Sequence, residues 1–176
     1  MAMIKRVSVL AGALLLGSAA LPVQAGEKAY FRSVAGSWAG VGHIAAGPYK
    51  NTRFTCKFSG TVPASIGMQL DGTCRVGVFP QTMKARIVKR GSSYTGRFSL
   101  GTKGDGLDIT SGKLRGKRLT LGIRHKKLTG TFQANLKNQN SLNLTIAVKV
   151  QQTMVPFIGL TLTRTGPARK TSYLAD

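Results

Sequence analysis

Five carboxylates, two histidines and two cysteines are all that this chain offers for acid–base, nucleophilic or metal chemistry. The acids are Glu27, Asp71, Asp105, Asp108 and Asp176. Paired-carboxylate catalysis needs two of them held together, and only Asp105 and Asp108 are near neighbours, in the turn-forming stretch Gly104-Asp105-Gly106. A nucleophile would need a histidine and an orienting acid beside it. His43 lies in a strand of glycines and His125 in a basic turn, Arg124-His125-Lys126-Lys127, and neither accompanies a nucleophile motif. The residues therefore predict no enzyme activity, no metal site and no cofactor.

Positive charge is what the chain does offer. Lys and Arg number 26 against 5 acids, a net +21. Such a surface is soluble, repels itself and attracts anionic polymers at low salt. Alternation of inward apolar and outward basic residues points Lys84, Arg86, Arg97, Arg118 and Arg124 outward; with Lys89, Arg90, Lys126 and Lys127 at strand ends they are the candidate anion-binding set. Few aromatic residues share their parity, so a base-stacking platform is missing and no specific nucleic acid is expected. Unstacked Lys and Arg suit phosphate or carboxylate groups. The expected partners are anionic envelope polymers or lipid head groups; a solvated face that only keeps the protein soluble is the competing reading.

The N-terminus supports an envelope or secreted location. Lys5-Arg6, the apolar run Val7–Leu16 and Val23-Gln24-Ala25 before Gly26 read as a cleaved export signal. Residues 1–25 are thus expected to be removed, 26–165 to form one domain and 166–176 to be a loose tail. Without Lys5 and Arg6, 24 basic residues face 5 acids, a net +19. Export to an oxidising space makes a Cys56–Cys74 disulfide the expectation, with two free buried thiols as the alternative.

Those cysteines also define the elements. Phe54, Cys56 and Phe58 share one parity; Met68, Leu70, Gly72 and Cys74 share another. Folding back about Ser65 sets Cys56 opposite Cys74 and Phe58 opposite Gly72, satisfying both strand patterns at once. Further strands are expected near 35–44, 82–89, 94–100, 107–114, 119–123, 128–136, 141–150 and 157–164, with Phe79-Pro80 a break and a short helical turn in Ala29–Val34 or near the C-terminus. Many short strands with Gly, Asn and Ser turns predict an all-β antiparallel up-and-down meander closing into a barrel of about 8–10 strands. A membrane-spanning barrel, apolar outside, is not expected: the polar parity is too basic for a narrow lumen. A monomer is expected. Phe54, Phe58, Leu70, Phe98, Leu121, Phe132, Leu144 and Ile146 would line the interior, filling a narrow barrel or holding a small apolar ligand in a wider one.

Gly36-Ser37-Trp38 resembles the Gly-x-Trp of the calycin group, the lipocalins and their relatives. The resemblance implies that Trp38 plugs the closed end of the barrel and that Arg164, on the last strand, packs over its ring. The early disulfide is similar to that of small bacterial inhibitors of secreted metalloproteases, whose N-terminal arm, here Gly26–Phe31, would enter the protease. Val34–Cys56 also looks like exported proteins of unassigned function from Gram-negative bacteria.

Overall fold

A computed structural model describes residues 23–99, 101 and 106–167. One helix, α1 (Val23–Val34), precedes ten strands: β1 (Gly36–Ile44), β2 (Arg53–Thr61), β3 (Gly67–Val76), β4 (Phe79–Arg90), β5 (Ser93–Ser99), β6 (Gly106–Arg115), β7 (Arg118–His125), β8 (Leu128–Asn138), β9 (Ser141–Val150) and β10 (Thr153–Gly166). Each strand pairs antiparallel with the next, and β1 returns to β10, closing the barrel. Closure leaves no free sheet edge.

The disulfide hairpin has the register that its alternation dictates. Cys56 is paired with Cys74, Phe58 with Gly72, and the Cys56–Cys74 disulfide is formed. Gly72 is needed there: a Cβ would strike the Phe58 ring and the Lys57 carbonyl. The ring thus lies over bare backbone.

The strand pattern needs three corrections. Phe79 and Pro80 do not break it; they begin β4, pairing with Val76 and Arg75. A proline at a strand's start removes a donor where the ladder is only beginning. Pro156 likewise lies inside β10, next to a bulge. The helical segment is longer than one turn, beginning at Val23 and so passing through the expected Ala25–Gly26 cleavage point. Of the expected tail, residues from 168 onward lie outside the described residues, as do Asp105 and Asp176.

The helix plugs one end of the barrel. Phe31 is fully buried, with Tyr30, Val34 and Trp38 around it; Phe31 stands edge-on to Tyr30 at 5.5 Å and to Tyr94 at 5.7 Å. Beneath the plug the interior is nearly solid, with only about 50 Å³ of space among residues such as Trp38, Phe58, Leu119 and Leu142. The core is therefore concentrated in the plugged half.

Candidate functional site

Three places on the barrel carry chemistry: the plug, the basic outer wall and the open mouth.

At the plug, Arg164 lies with its guanidinium carbon 4.2 Å from the Trp38 ring centroid. Its Nη1 donates to the Ala35 carbonyl at 2.7 Å, Nη2 to Ser33 at 2.6 Å and Nε to Gln139 at 2.7 Å. Trp38 Nε1 donates to the Val34 carbonyl at 2.9 Å. The last carbonyls of a helix have no partners within it; Arg164 and Trp38 supply partners to those of Ser33 and Val34, and the cation also opposes the negative end of the helix dipole. Burial pushes the Arg164 pKa down, yet a guanidinium stays charged at neutral pH. Trp38 and Arg164 thus meet at the plugged end, where Gly36 begins β1 opposite Gly60.

The other side of the plug is a polar cluster that no motif announced. Glu27, buried, accepts a hydrogen bond from the Tyr94 hydroxyl at 2.8 Å and an ion pair from Lys89 Nζ. Tyr30 donates to the Ala134 carbonyl at 3.0 Å. Burial raises the pKa of both phenols above their usual 10.0, and the Glu27 carboxylate raises that of Tyr94 further. Lys89 is therefore no part of an outer anion site. It shares the inward parity of Ile87, pairs across strands with Tyr94 and holds the helix to β4.

The outer wall brings together some of the remaining candidates and separates others. Cross-strand register aligns Gln69, Arg86, Arg97, Asp108 and Arg124 in one row over β3–β7. Asp71, Lys84 and Ser99 form the row beside it. Between them lies a shallow groove of about 280 Å³ lined by Gln69, Asp71, Lys84, Arg86, Arg97 and Ser99. Asp108 pairs with Arg97 at 3.0 Å and Asp71 with Lys84 at 3.7 Å, exposed pairs that contribute little stability. Arg90 and Arg118 are at the plugged end, and Lys126 and Lys127 form the β7–β8 turn at the opposite end. The nine cations are thus not one patch.

The mouth is the end away from the helix. Here a cavity of about 280 Å³ is lined by Leu107, Ile123, His125, Ile146, Val148, Phe157 and Ile158 among others. His125 ends β7 with the inward parity of Leu119, Leu121 and Ile123, instead of sitting in a turn. Its Nδ1 is 2.6 Å from the Gly106 carbonyl. A carbonyl can only accept, so Nδ1 carries the proton and Nε2 is the ring's remaining polar atom. His43, by contrast, is exposed on the outside of β1. Among the described residues, no group of three or more His, Cys, Asp or Glu could hold a metal ion, and no helix is long and apolar enough to cross a membrane.

Searches of protein families and of curated proteins find no match to the chain. Among solved structures, Rv2717c from M. tuberculosis is similar, with a TM-score of 0.58 at 12% identity over 79% of this chain and 97% of that one. At that identity the likeness is one of fold: the chain is a closed ten-stranded antiparallel barrel with a solved structural neighbour.

Proposed function

We propose that this is a non-enzymatic exported protein of calycin type, acting in the periplasm or outside the cell, whose basic surface binds anionic envelope polymers or lipid head groups. The observation that carries this reading is how the described carboxylates are used. Glu27, Asp71 and Asp108 are each engaged by one cation, Lys89, Lys84 and Arg97, and among the described residues most of the other basic side chains, Arg164 apart, are exposed. The Arg86–Arg97–Arg124 row presents planar donors suited to phosphate or carboxylate. Binding to a soluble polyanion should weaken steeply as salt rises. Reversing Lys84, Arg86 and Arg97 together should cost more affinity than reversing Lys28 and Arg32. Salt-independent binding, or no binding at low salt, refutes the reading; equal losses replace the groove with diffuse charge.

A second reading, a carrier of a small apolar ligand, is favoured by the mouth cavity and its apolar lining. Native mass spectrometry of the purified protein tests it through co-purified lipid-like mass. An inhibitory N-terminal arm has less support, because Gly26–Phe31 is helical and its Phe31 is fully buried.

A further inference from the structure

We propose that the barrel docks mouth-first on an anionic phospholipid bilayer, with apolar turn tips entering the interface and basic neighbours meeting the head groups. This rests on the anion-binding reading above and adds to it the partner and the surface.

Exposed large hydrophobic residues are normally scattered. Among the described residues Tyr49, Val76, Val78, Phe79, Leu128, Val150 and Met154 all lie at the open end, and Val41 alone is elsewhere. They come from four separate connections, β1–β2, β3–β4, β7–β8 and β9–β10; the fifth connection at this end, β5–β6, lies largely outside the described residues. Val78 is 79% and Phe79 77% exposed. A clustered apolar rim of this kind marks an interaction surface.

Charge identifies the occupant. Each of the four connections carries a cation directly beside an apolar tip: Lys50 after Tyr49, Arg75 before Val76, Lys127 before Leu128 and Lys149 before Val150. Among the described residues these connections hold no carboxylate. Cations beside interfacial apolar side chains fit a surface of anionic head groups over hydrocarbon. Tyr49 suits the boundary, with an apolar ring and a polar tip. A second copy of this chain fits poorly, since two basic rims would face each other.

The plugged end serves as an internal comparison. Arg90, Arg115, Lys117, Arg118 and Lys137 are exposed there, but among the described residues no large exposed hydrophobic is. A soluble polyanion would be served by either end; only a bilayer rewards the apolar mouth. The tips are also held in place: Gly77, Lys126 and Gln151 have positive φ of 57°, 51° and 54°, as tight turns require.

The test uses the full protein as the cell processes it, with vesicles of phosphatidylglycerol and phosphatidylcholine, vesicles of phosphatidylcholine alone, and heparin as soluble polyanion. The expected result is flotation with the anionic vesicles only. The charge-neutral double variant Val78→Ser/Phe79→Ser should lose about tenfold or more in vesicle partitioning, as removal of buried apolar surface implies, while binding heparin unchanged. Leu128→Ser, on a different turn, should show a smaller loss in the same direction. Phe79→Trp should shift its emission to the blue on vesicle addition and be quenched by brominated acyl chains, against the buried Trp38 background.

Unchanged partitioning of both serine variants overturns the proposal, as does a Phe79→Trp emission that ignores vesicles. Self-association that disappears in the serine variants, without vesicle binding, assigns the rim to a second copy. Wild-type protein that binds heparin but no vesicle overturns mouth docking and leaves the anion-binding reading standing. Failure to bind either overturns both.

Discussion

Replacing Arg164 by alanine should cost about 3–4 kcal/mol and should open the plug before the barrel. The side chain donates three hydrogen bonds to carbonyls, of Ser33, Ala35 and Gln139. A hydrogen bond involving a charged group is worth about 1.5–3 kcal/mol. Arg164 is only half-buried, so water can reach part of the site and the lower end of that range applies to the exposed Gln139 contact. The Ala35 residue is 2% exposed, and its carbonyl would lose its guanidinium partner. Stacking on Trp38 adds about 1 kcal/mol. Because these terms share one side chain they are not additive, which sets the total below their sum. Against a typical domain stability of 5–15 kcal/mol the loss is large. Urea unfolding with the disulfide intact measures it, and amide exchange localises it: α1 should lose protection while the β-ladders keep theirs. Arg164→Lys should recover a minor part, since an ammonium cannot address three carbonyls in one plane. An alanine variant within about 1 kcal/mol of wild type, or full rescue by lysine, would refute the capping account.

Other substitutions test separate links of the same argument. Removing the Cys56–Cys74 bridge by Cys56→Ser with Cys74→Ser should lower stability by about 3 kcal/mol, in line with the 18-residue separation, read as a shift in urea midpoint against reduced and oxidised wild type. Gly72→Ala should cost about 1–3 kcal/mol by forcing a methyl onto the Phe58 ring; a neutral outcome in thermal melts would show that β2 and β3 can shift apart. Stability should fall above about pH 10: the unfolded chain gives up the phenol protons of Tyr30 and Tyr94 there, while the fold, with both pKa values raised, retains them. The contribution is complete below the unfolded value and is lost as pH climbs toward the folded ones, so Tyr30→Phe and Tyr94→Phe should flatten the alkaline limb of a denaturation-versus-pH curve.

Period-2 alternation carried most of the architecture, because a half-buried strand writes its register into side-chain parity. That is why Ser141–Val150 has the expected bounds, and why Cys56, Phe58, Gly72 and Cys74 meet as their spacing requires. Proline is a weaker stop than the Phe79-Pro80 break supposes: Pro80, like Pro156, lies where a missing donor is harmless, next to a strand's start and next to a bulge respectively. The plug was under-read because α1 is short, though Glu27, Tyr30, Phe31 and Val34 do fall at helical spacing. Lys89 shows the limit of reading charge from parity: a lysine at an inward position is rejected as a core residue unless its partner is known, and Glu27 is 62 positions away. Parity points Arg118 outward and sequence puts Lys126 and Lys127 at a strand end, but strand direction sends Arg118 to one end of the barrel and the two lysines to the other. Clustering of apolar tips at the mouth is invisible in sequence, since four distant turns contribute to it.

The seam between β1 and β10 makes the fold an all-or-nothing event in time. β1 pairs with β2 at once, but its other edge waits for Leu160, Leu162 and Arg164, more than a hundred residues later. Until they emerge from the ribosome, β1 exposes unpaired backbone and α1 lacks its Arg164 cap. Contacts this distant in sequence make closure slow, and an unpaired edge invites association with other chains. Chains shortened before β10 should therefore accumulate as aggregates or protease fragments, and an escorting factor would act on the open strand edge, well before the finished barrel exists.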